Sequence, residues 1–281
     1  MTDLWSGTYR ESAVWGEMAR ALISSADLRP GMRVLDVGSA GGGTLFPALE
    51  RVGSAGSVVG IDVDEEWVGW LQEDIAKRGI RNAENVWMNG EAMTFPGGAF
   101  DAVVMGMVGL DEDYDFETGQ VLRGAPLMNE VSRVLKPGGS LSCSGWLWQD
   151  DSEWMRELVR RRLPDCTKHG YCPATAEGYV DLLEAVGFED VRVTPHEGRY
   201  TFEDSAEWLA CLSHVWEDEL AQIRADSDAL RAFEQDVADV LAGSLDEERK
   251  LAYTRSAVLV SARNPIGPRS SRSSARGTAV A

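Results

Sequence analysis

The sequence has few of the residues that cross-link small folds or span membranes. Its four cysteines show no disulfide-framework spacing. No run approaches the roughly 18 consecutive apolar residues that a membrane span requires. The first residues also lack the basic-then-apolar order of a secretory signal. We therefore expect a cytoplasmic protein with reduced cysteines and no membrane partner. The cysteines are Cys143, Cys166, Cys172 and Cys211.

Positive charge is also scarce. The chain has 27 Lys and Arg against 46 Asp and Glu, which gives a formal net charge of −19. Binding to a phosphate backbone depends on clustered Lys and Arg, so we expect no nucleic-acid partner. The 281 residues are 44% apolar, which is enough for one sizeable core with an appended segment.

One glycine-rich segment is the most informative feature of the sequence for fold and ligand class. An apolar run, Val34–Val37, leads into a loop with glycines at positions 38 and 41–43, and a second apolar run ends at Asp62. The order strand, tight loop, helix, strand and acidic residue is typical of doubly wound sheets that bind nucleotide-like ligands. Gly42 and Asp62 are 20 positions apart, close to the spacing of about 20 expected for such a pair.

The first half of the chain resembles the class I S-adenosylmethionine (SAM)-dependent methyltransferases of the ubiquinone/menaquinone-biosynthesis type. Their first motif is a hydrophobic strand followed by Asp-x-Gly-x-Gly-x-Gly. Asp36, Gly38 and Gly42 match this motif, whereas the middle glycine is Ala40. A dehydrogenase could use a similar loop, but further motifs favour the methyltransferase. Those motifs are Met88–Ala92, Phe95-Pro96, Phe100-Asp101 and Leu135–Gly139.

The resemblance implies SAM as cofactor and assigns roles to individual residues. Gly38 and Gly42, with Ala40 between them, are expected at the methionine part of SAM, and Asp36 near its ammonium group. Asp62, followed by Val63, is expected at the ribose. The adenine ring is expected at Gly90, Glu91 and Ala92.

The alternation of apolar patterns predicts an α/β fold, a doubly wound, Rossmann-like, mainly parallel sheet of seven strands. We expect an N-terminal helical cap over 1–30 and a SAM-binding core over 31–199 and 249–264. The predicted strands are 33–38, 57–62, 85–88, 101–107, 140–147, 191–193 and 256–261. The predicted helices are 8–26, 43–53, 64–79, 121–135, 152–163 and 174–186.

The segment 200–248 departs from this alternation. It is helical in pattern and has 14 Asp or Glu against two Arg. We interpret it as an acidic helical lid inserted near the substrate; a solvated helical flank without substrate contact is the alternative. The Ser/Arg-rich residues 265–281 lack an apolar period and are expected to be a disordered tail.

The general base, if the acceptor needs one, is predicted among the three histidines. We take His169 and His214 as the candidate catalytic residues. His169 follows the fifth strand, in a region that usually borders substrate in this fold, and His214 lies within the acidic segment 200–248. His196, after the sixth strand, is a weaker candidate. A histidine in such a position is more often a packing or surface residue than a catalyst. If one of them acts, an unperturbed imidazole pKa of about 6.5 suits acid–base catalysis.

We expect no metal site. Cys166-x-x-His169-x-x-Cys172 does not match the usual zinc spacing. The acidic run Asp111–Asp115 could hold a divalent ion or a substrate amine, but a solvated acidic turn is the favoured interpretation.

Aromatic residues suggest the nature of the acceptor. The chain has ten tryptophans, and core packing is the commoner fate of tryptophan. Several nevertheless fall where substrate borders this fold, which suggests an aromatic or otherwise flat hydrophobic acceptor. The candidate substrate-binding residues are Tyr9, Trp15, Trp146, Trp148 and Trp216.

These observations favour a small-molecule methyltransferase of specialised metabolism that acts on O, N or C, as a monomer or homodimer. One alternative is a protein of the same fold that binds SAM without transferring methyl, such as a cyclase or a regulatory binder. A protein methyltransferase whose acidic segment attracts basic tails is supported by charge alone.

Overall fold

The computed structural model describes residues 13–164, 174–212, 216–248 and 250–267. A seven-stranded sheet forms the centre of these residues. Its spatial order is β3-β2-β1-β4-β7-β9-β8, and β9 runs antiparallel to both of its neighbours. The predicted seven-stranded, mainly parallel sheet is therefore confirmed. The strands are β1 Arg33–Val37, β2 Ser57–Asp62, β3 Ala83–Trp87, β4 Phe100–Gly106, β7 Leu135–Gln149, β8 Glu189–Phe202 and β9 Leu251–Arg263.

A two-stranded hairpin lies outside the sheet. Its strands are β5, Tyr114–Asp115, and β6, Gln120–Val121. The helix predicted over 121–135 is therefore too long at its start, because the chain completes this hairpin before α4 begins. The helices are α1 Ala13–Ser25, α2 Leu45–Val52, α3 Glu65–Lys77, α4 Pro126–Val134, α5 Asp150–Arg162, α6 Ala176–Val186, α7 Ser205–Leu212, α8 Glu217–Arg224 and α9 Ser227–Leu241.

Local sequence explains where several helices begin and end. The Asp64 carboxylate accepts the backbone N–H groups of Glu66 and Trp67, which caps the start of α3. Gly187, in a left-handed conformation at φ +96°, ends α6. None of the helices in the described ranges has the length and apolar character needed to cross a bilayer.

The last two strands are much longer than predicted. The β8–β9 ladder continues to the pair Phe202–Leu251, beyond the predicted strands 191–193 and 256–261. Polar residues interrupt the apolar alternation of both strands, so the sequence pattern shows only their middles. The helices α7, α8 and α9 lie between the end of β8 and the start of β9 in the chain. The α-helices of the predicted segment 200–248 therefore lie within residues 205–241.

Buried side chains form separate apolar clusters on the two faces of the sheet. One face packs against α4 and α6, with Phe100, Met128 and Tyr179 among its buried residues. On the opposite face, α1, α5 and the helices α7–α9 share a cluster with residues at the carboxyl ends of β7 and β8 and with residues 251–259 of the antiparallel β9. The second cluster positions the helical insertion next to the edge of the sheet at which β1 and β4 end.

Candidate active site

A cavity of about 190 Å³ opens at the carboxyl edge of β1, β2 and β4. Parallel α/β sheets bind ligands at this edge, near the point where the strand order reverses. Five of the predicted cofactor residues line it, although they come from three separate parts of the sequence. They are Gly38, Asp62, Val63, Gly90 and Glu91.

The glycine loop that borders this cavity is held in an unusual backbone conformation. Gly38, Ala40 and Gly42 have φ values of +70°, +38° and +83°. A Cβ atom at Gly42 would lie 2.7 Å from the Phe46 ring and 2.8 Å from Leu71. Glycine is therefore required at 42 for both backbone and space. Ala40 adopts the left-handed region although it carries a side chain.

The Asp62 carboxylate is oriented by backbone donors. One oxygen accepts the Ala40 N–H at 2.9 Å, and the other accepts the Asp64 N–H at 3.0 Å. These bonds connect the end of β2 to the glycine loop and hold the carboxylate at the cavity wall. Beside it, the exposed Val63 also lines the cavity, and its carbonyl accepts the Trp87 indole N–H at 2.9 Å.

Asp36 lies beneath the loop and does not line the cavity. It is fully buried, and the Thr44 hydroxyl lies 2.7 Å from both of its oxygens. Burial raises the pKa of Asp36 to about 7, the Thr44 hydrogen bond opposes this rise, and the charge of Asp62 adds to it. Asp36 therefore lies below the loop and not at the cavity wall, and its contact with the cofactor ammonium stays a prediction.

Glu91 reaches the cavity from a short helical turn, Gly90–Ala92, that the Asn89 side chain caps. Its carboxylate forms an ion pair with Arg123 at 2.9 Å, and Arg123 contacts Glu112 at 2.8 Å. Arg123 was missed by the sequence analysis, because 32 residues separate it from Glu91. The predicted role of Ala92 is not supported by its position, since Ala92 is exposed and does not line the cavity.

The acidic run Asp111–Asp115 is largely structural, so its interpretation as a solvated turn was wrong in part. Asp113 is buried and accepts the backbone N–H groups of Leu127 and Met128 at the start of α4. Burial raises its pKa, and these two hydrogen bonds oppose the rise. Asp115 accepts backbone N–H groups within the β5–β6 hairpin.

A second, smaller cavity of about 30 Å³ lies between α1 and the other side of the glycine loop. Trp15 borders it, and the Trp15 ring meets the Trp146 ring edge-on, with centroids 5.7 Å apart. Met107 and Ser144 also line this cavity, and the Ser144 hydroxyl oxygen accepts the Met107 N–H at 3.2 Å. The structure thus brings two predicted substrate residues, Trp15 and Trp146, next to the loop.

Other predicted residues are placed elsewhere. Trp216 is 3% exposed in the apolar cluster beneath the insertion and lines neither cavity, so a contact with acceptor would require these helices to move. A β-bulge interrupts the pairing of β7 with β9 between Trp146 and Trp148. Residues outside the described part are Tyr9, Cys166, His169, Cys172 and His214, together with the side chain of Trp148.

His196 is the one histidine within the described residues. It lies on β8 opposite Ala257, and its Nε2 is 3.6 Å from the Glu17 carboxylate of α1. It lines neither of the two cavities beside the glycine loop.

Comparison with known proteins agrees with this geometry. Residues 34–139 match a family described as a methyltransferase domain. Over 241 residues the chain is 40% identical to nocamycin O-methyltransferase of Saccharothrix syringae, which covers 76% of this chain and 82% of that relative. The chain belongs to the SAM-dependent methyltransferase family. It is an enzyme that uses SAM to methylate a small molecule.

Two further similarities are lower in sequence identity. A ubiquinone/menaquinone biosynthesis C-methyltransferase of Hydrogenovibrio crunogenus is 32% identical over 123 residues, 43% of this chain and 45% of the relative. The solved structure of the [4+2]-cyclase SpnF aligns with a TM-score of 0.54 at 21% identity, over 90% of this chain and 82% of SpnF. This last similarity concerns the fold alone.

The residues at the methyltransferase's larger cavity fit SAM. Gly38 lines this cavity at φ +70°, and a Cβ there would lie 2.6 Å from Val108, another lining residue, so glycine lets the backbone itself form the cavity wall. The Asp62 carboxylate lines this cavity, as the predicted ribose contact requires, and so do Gly90 and Glu91, the predicted adenine contacts. Bound SAM supplies an electrophilic methyl group on a sulfonium; the protein supplies position and exclusion of water.

Proposed function

We propose that this methyltransferase transfers methyl to an oxygen atom of a flat, apolar, specialised-metabolism acceptor. A relative that matches 76% of the chain is named as an O-methyltransferase. The relatives named as C-methyltransferases match 43% to 50% of the chain, and this difference supports oxygen as the nucleophile.

The position of Trp15 is the main structural support for a flat, apolar acceptor. Its ring borders the small cavity at the glycine loop and also packs on Trp146, so an aromatic wall begins beside the loop. A flat acceptor stacked on this wall would have its nucleophile close to the methyl group of SAM. Offset and edge-on aromatic contacts contribute about 0.5–1.5 kcal/mol beyond the area that they bury.

The protein's own contribution to the reaction is positioning and, for some acceptors, proton removal. An acceptor oxygen that already carries a negative charge needs no base, whereas a neutral hydroxyl must lose its proton. For a neutral acceptor we propose His169 or His214 as that base. Replacement of each by Gln should then lower kcat at pH values at which the acceptor hydroxyl is neutral, and the loss should shrink as rising pH ionises that hydroxyl. SAM affinity should not change.

A direct test uses methyl-labelled SAM with alizarin, a flat phenol, as the acceptor. Trp15→Ala should lower kcat/KM for alizarin by about tenfold, since an aromatic contact and its buried area are lost. SAM affinity, measured by calorimetry, should change little. Trp70→Ala is the matched control, because Trp70 lies on α3 and packs on Trp67.

The outcomes distinguish transfer to oxygen from transfer to carbon and test the aromatic wall separately. Labelled methyl on an alizarin oxygen, with the loss confined to Trp15→Ala, supports the proposal. Label on carbon contradicts oxygen transfer. Equal turnover by wild type and Trp15→Ala contradicts the aromatic wall.

A further inference from the structure

One arginine joins two carboxylates at the rim of the larger cavity. Arg123 donates to both oxygens of Glu91, from Nη2 to Oε2 at 2.9 Å and from Nη1 to Oε1 at 3.5 Å. Its Nη1 also donates to Oε2 of Glu112 at 2.8 Å. Both glutamates line the cavity, whereas Arg123 does not. The arginine can therefore affect a ligand in this cavity through the carboxylates that it holds.

The exposure of these side chains shows what the contacts can do. The side chains of Arg123 and Glu112 are 54% and 76% exposed, and ion pairs of such exposed groups add little to stability. A planar guanidinium with donors to both oxygens does, however, fix the direction of a carboxylate. The main effect of Arg123 is therefore on the orientation of Glu91, whose side chain is 27% exposed.

The backbone that carries this arginine is strained. Arg123, Gly124 and Ala125 have φ values of +49°, +75° and +53°, so three consecutive residues lie in the left-handed region. Two of them carry side chains, which makes this conformation unfavourable. Two hydrogen bonds hold this left-handed segment, from the Leu122 N–H to the Asp113 carbonyl at 2.8 Å and from the Ala125 N–H to the Leu122 carbonyl at 2.7 Å. Strain that the surrounding structure maintains is common at ligand sites.

The turn that carries Glu91 is attached to the helix that follows the left-handed segment. A Cβ atom at Gly90 would lie 2.7 Å from the Leu127 side chain of α4, so the turn packs directly on this helix. The Met93 N–H, just after the turn, donates to the Glu130 carboxylate of α4 at 2.8 Å. Because the turn and the left-handed segment share α4 as their support, the distance between Glu91 and the arginine is fixed.

We propose that Arg123 is a positioning residue that orients the Glu91 carboxylate toward the exocyclic amine of adenine. The longer of its two contacts leaves Oε1 of Glu91 able to accept a further hydrogen bond, from that amine. A 6-oxo purine presents a carbonyl at the same place, so two acceptors would face each other and binding would weaken. The cofactor site is thus selective for adenine. This role rests on the predicted placement of adenine at Glu91 and is independent of the acceptor.

The test compares S-adenosylhomocysteine with S-inosylhomocysteine, each titrated by calorimetry into the full-length enzyme. Wild type should bind the adenine ligand at least about tenfold more tightly, the size expected for a hydrogen bond to a charged group. Arg123→Ala should reduce this ratio several-fold, and Arg123→Lys should keep part of it. Glu91→Gln should abolish the preference, because an amide can also donate to the inosine carbonyl.

Two further variants separate orientation of Glu91 from general support of the loop. Arg123→Gly relieves the left-handed strain but should reduce the ratio as Arg123→Ala does, because only the side chain holds the carboxylate. Arg231→Ala is the matched control: Arg231 pairs with Asp228 on the exposed face of α9, and its loss should leave the ratio unchanged.

Equal affinity of wild type for the two ligands, or binding of neither, would overturn the proposal. So would an unchanged ratio in Arg123→Ala and Arg123→Gly, even if both ligands bind more weakly, since that result identifies a support of the loop alone. If Arg123→Ala fails to fold, Arg123→Lys and Glu91→Gln still report the ratio. Alizarin methylation tests the proposed function separately, so the two proposals can fail independently.

Discussion

At the scale of single residues, one hydrogen bond maintains the shape of the glycine loop. Ala40 stands where the family motif has glycine, and its φ of +38° costs roughly 1–2 kcal/mol for a residue with a side chain. The Asp62 carboxylate offsets this cost by accepting the Ala40 N–H at 2.9 Å. The carboxylate expected at the ribose is therefore also a support of the loop.

We expect Asp62→Ala to weaken SAM binding by about tenfold or more, because the ribose hydroxyls lose a charged acceptor worth roughly 1.5–3 kcal/mol. The SAM affinity of Asp62→Asn should lie between those of wild type and Asp62→Ala, since the amide keeps one acceptor oxygen. Calorimetric titration with SAM measures both. Asp228→Asn, an exposed change on α9, is the control; equal SAM affinity in wild type and Asp62→Ala would remove Asp62 from the site.

Asp36 should give the protein a distinctive pH dependence. Its pKa is about 7 in the folded protein and 3.8 in the unfolded chain, because burial favours the neutral acid. Between these values the folded state holds a proton that the unfolded chain has released. The contribution of Asp36 to the free energy of unfolding is therefore greatest below pH 3.8 and is lost as the pH rises through about 7.

Asp36→Asn removes this titration. The melting temperature of the variant, relative to wild type, should rise between about pH 4.5 and pH 8. Thermal unfolding across this range, with Asp228→Asn in parallel, measures the difference. A constant difference between wild type and Asp36→Asn at every pH would show that Asp36 is ionised throughout.

At the scale of elements, the helices α7–α9 form a unit with its own apolar contacts. Trp208, Trp216 and Phe233 are buried between these helices, α5 and the tips of β8 and β9. Ion pairs from Arg161 and Arg162 of α5 to Asp236 of α9 add to the packing. A lid made of these helices would move as a block, because its apolar side chains contact one another.

We predict that the insertion opens to admit the acceptor. Hydrogen exchange of amides in 205–241 should slow when S-adenosylhomocysteine and a methylated acceptor are bound, on the view that lids close over their substrates. Trp216→Ala should lower kcat/KM for the acceptor and leave SAM affinity nearly unchanged. Trp216→Phe, which keeps most of the apolar volume, should lower kcat/KM less than Trp216→Ala does. Exchange that is slow without ligand and unaffected by it would identify a fixed flank.

Sequence reasoning worked best where signals are local. The glycine loop, the strand before it and Asp62 follow from residues within a short stretch, so their positions could be predicted. The Arg123–Glu91 ion pair and the β8–β9 ladder depend on residues far apart in sequence. The burial of Asp36 depends on the position of Thr44, whose hydroxyl donates to the Asp36 carboxylate. The periodicity of apolar residues in the sequence does not predict this contact.

At the scale of the whole molecule, charge is unevenly distributed. Of the net −19, a contribution of −12 comes from residues 200–248, which include the three helices of the insertion. Like charges crowded on one unit repel one another when the unit is folded. Ionic strength should therefore affect the stability of this protein strongly.

The melting temperature should rise as NaCl increases from about 0.02 M to about 0.5 M, because screening shortens the reach of the repulsion. The paired change Glu217→Gln and Asp218→Asn, at the exposed start of α8, should reduce this rise. KCl in place of NaCl tests whether a specific cation is responsible. A melting temperature that is independent of salt would show that the acidic residues are already neutralised by their neighbours.

The pair Phe202–Leu251 closes the insertion at its base. A segment whose two ends lie on adjacent paired residues can change length at little entropic cost, since each doubling of a loop costs only about 0.6 kcal/mol. Segments exchanged between relatives at this junction would leave the glycine loop and the sheet untouched. If the insertion contacts the acceptor, as predicted above, the closing pair makes acceptor choice and cofactor binding separable in evolution, and it marks where a chimaeric enzyme is best joined.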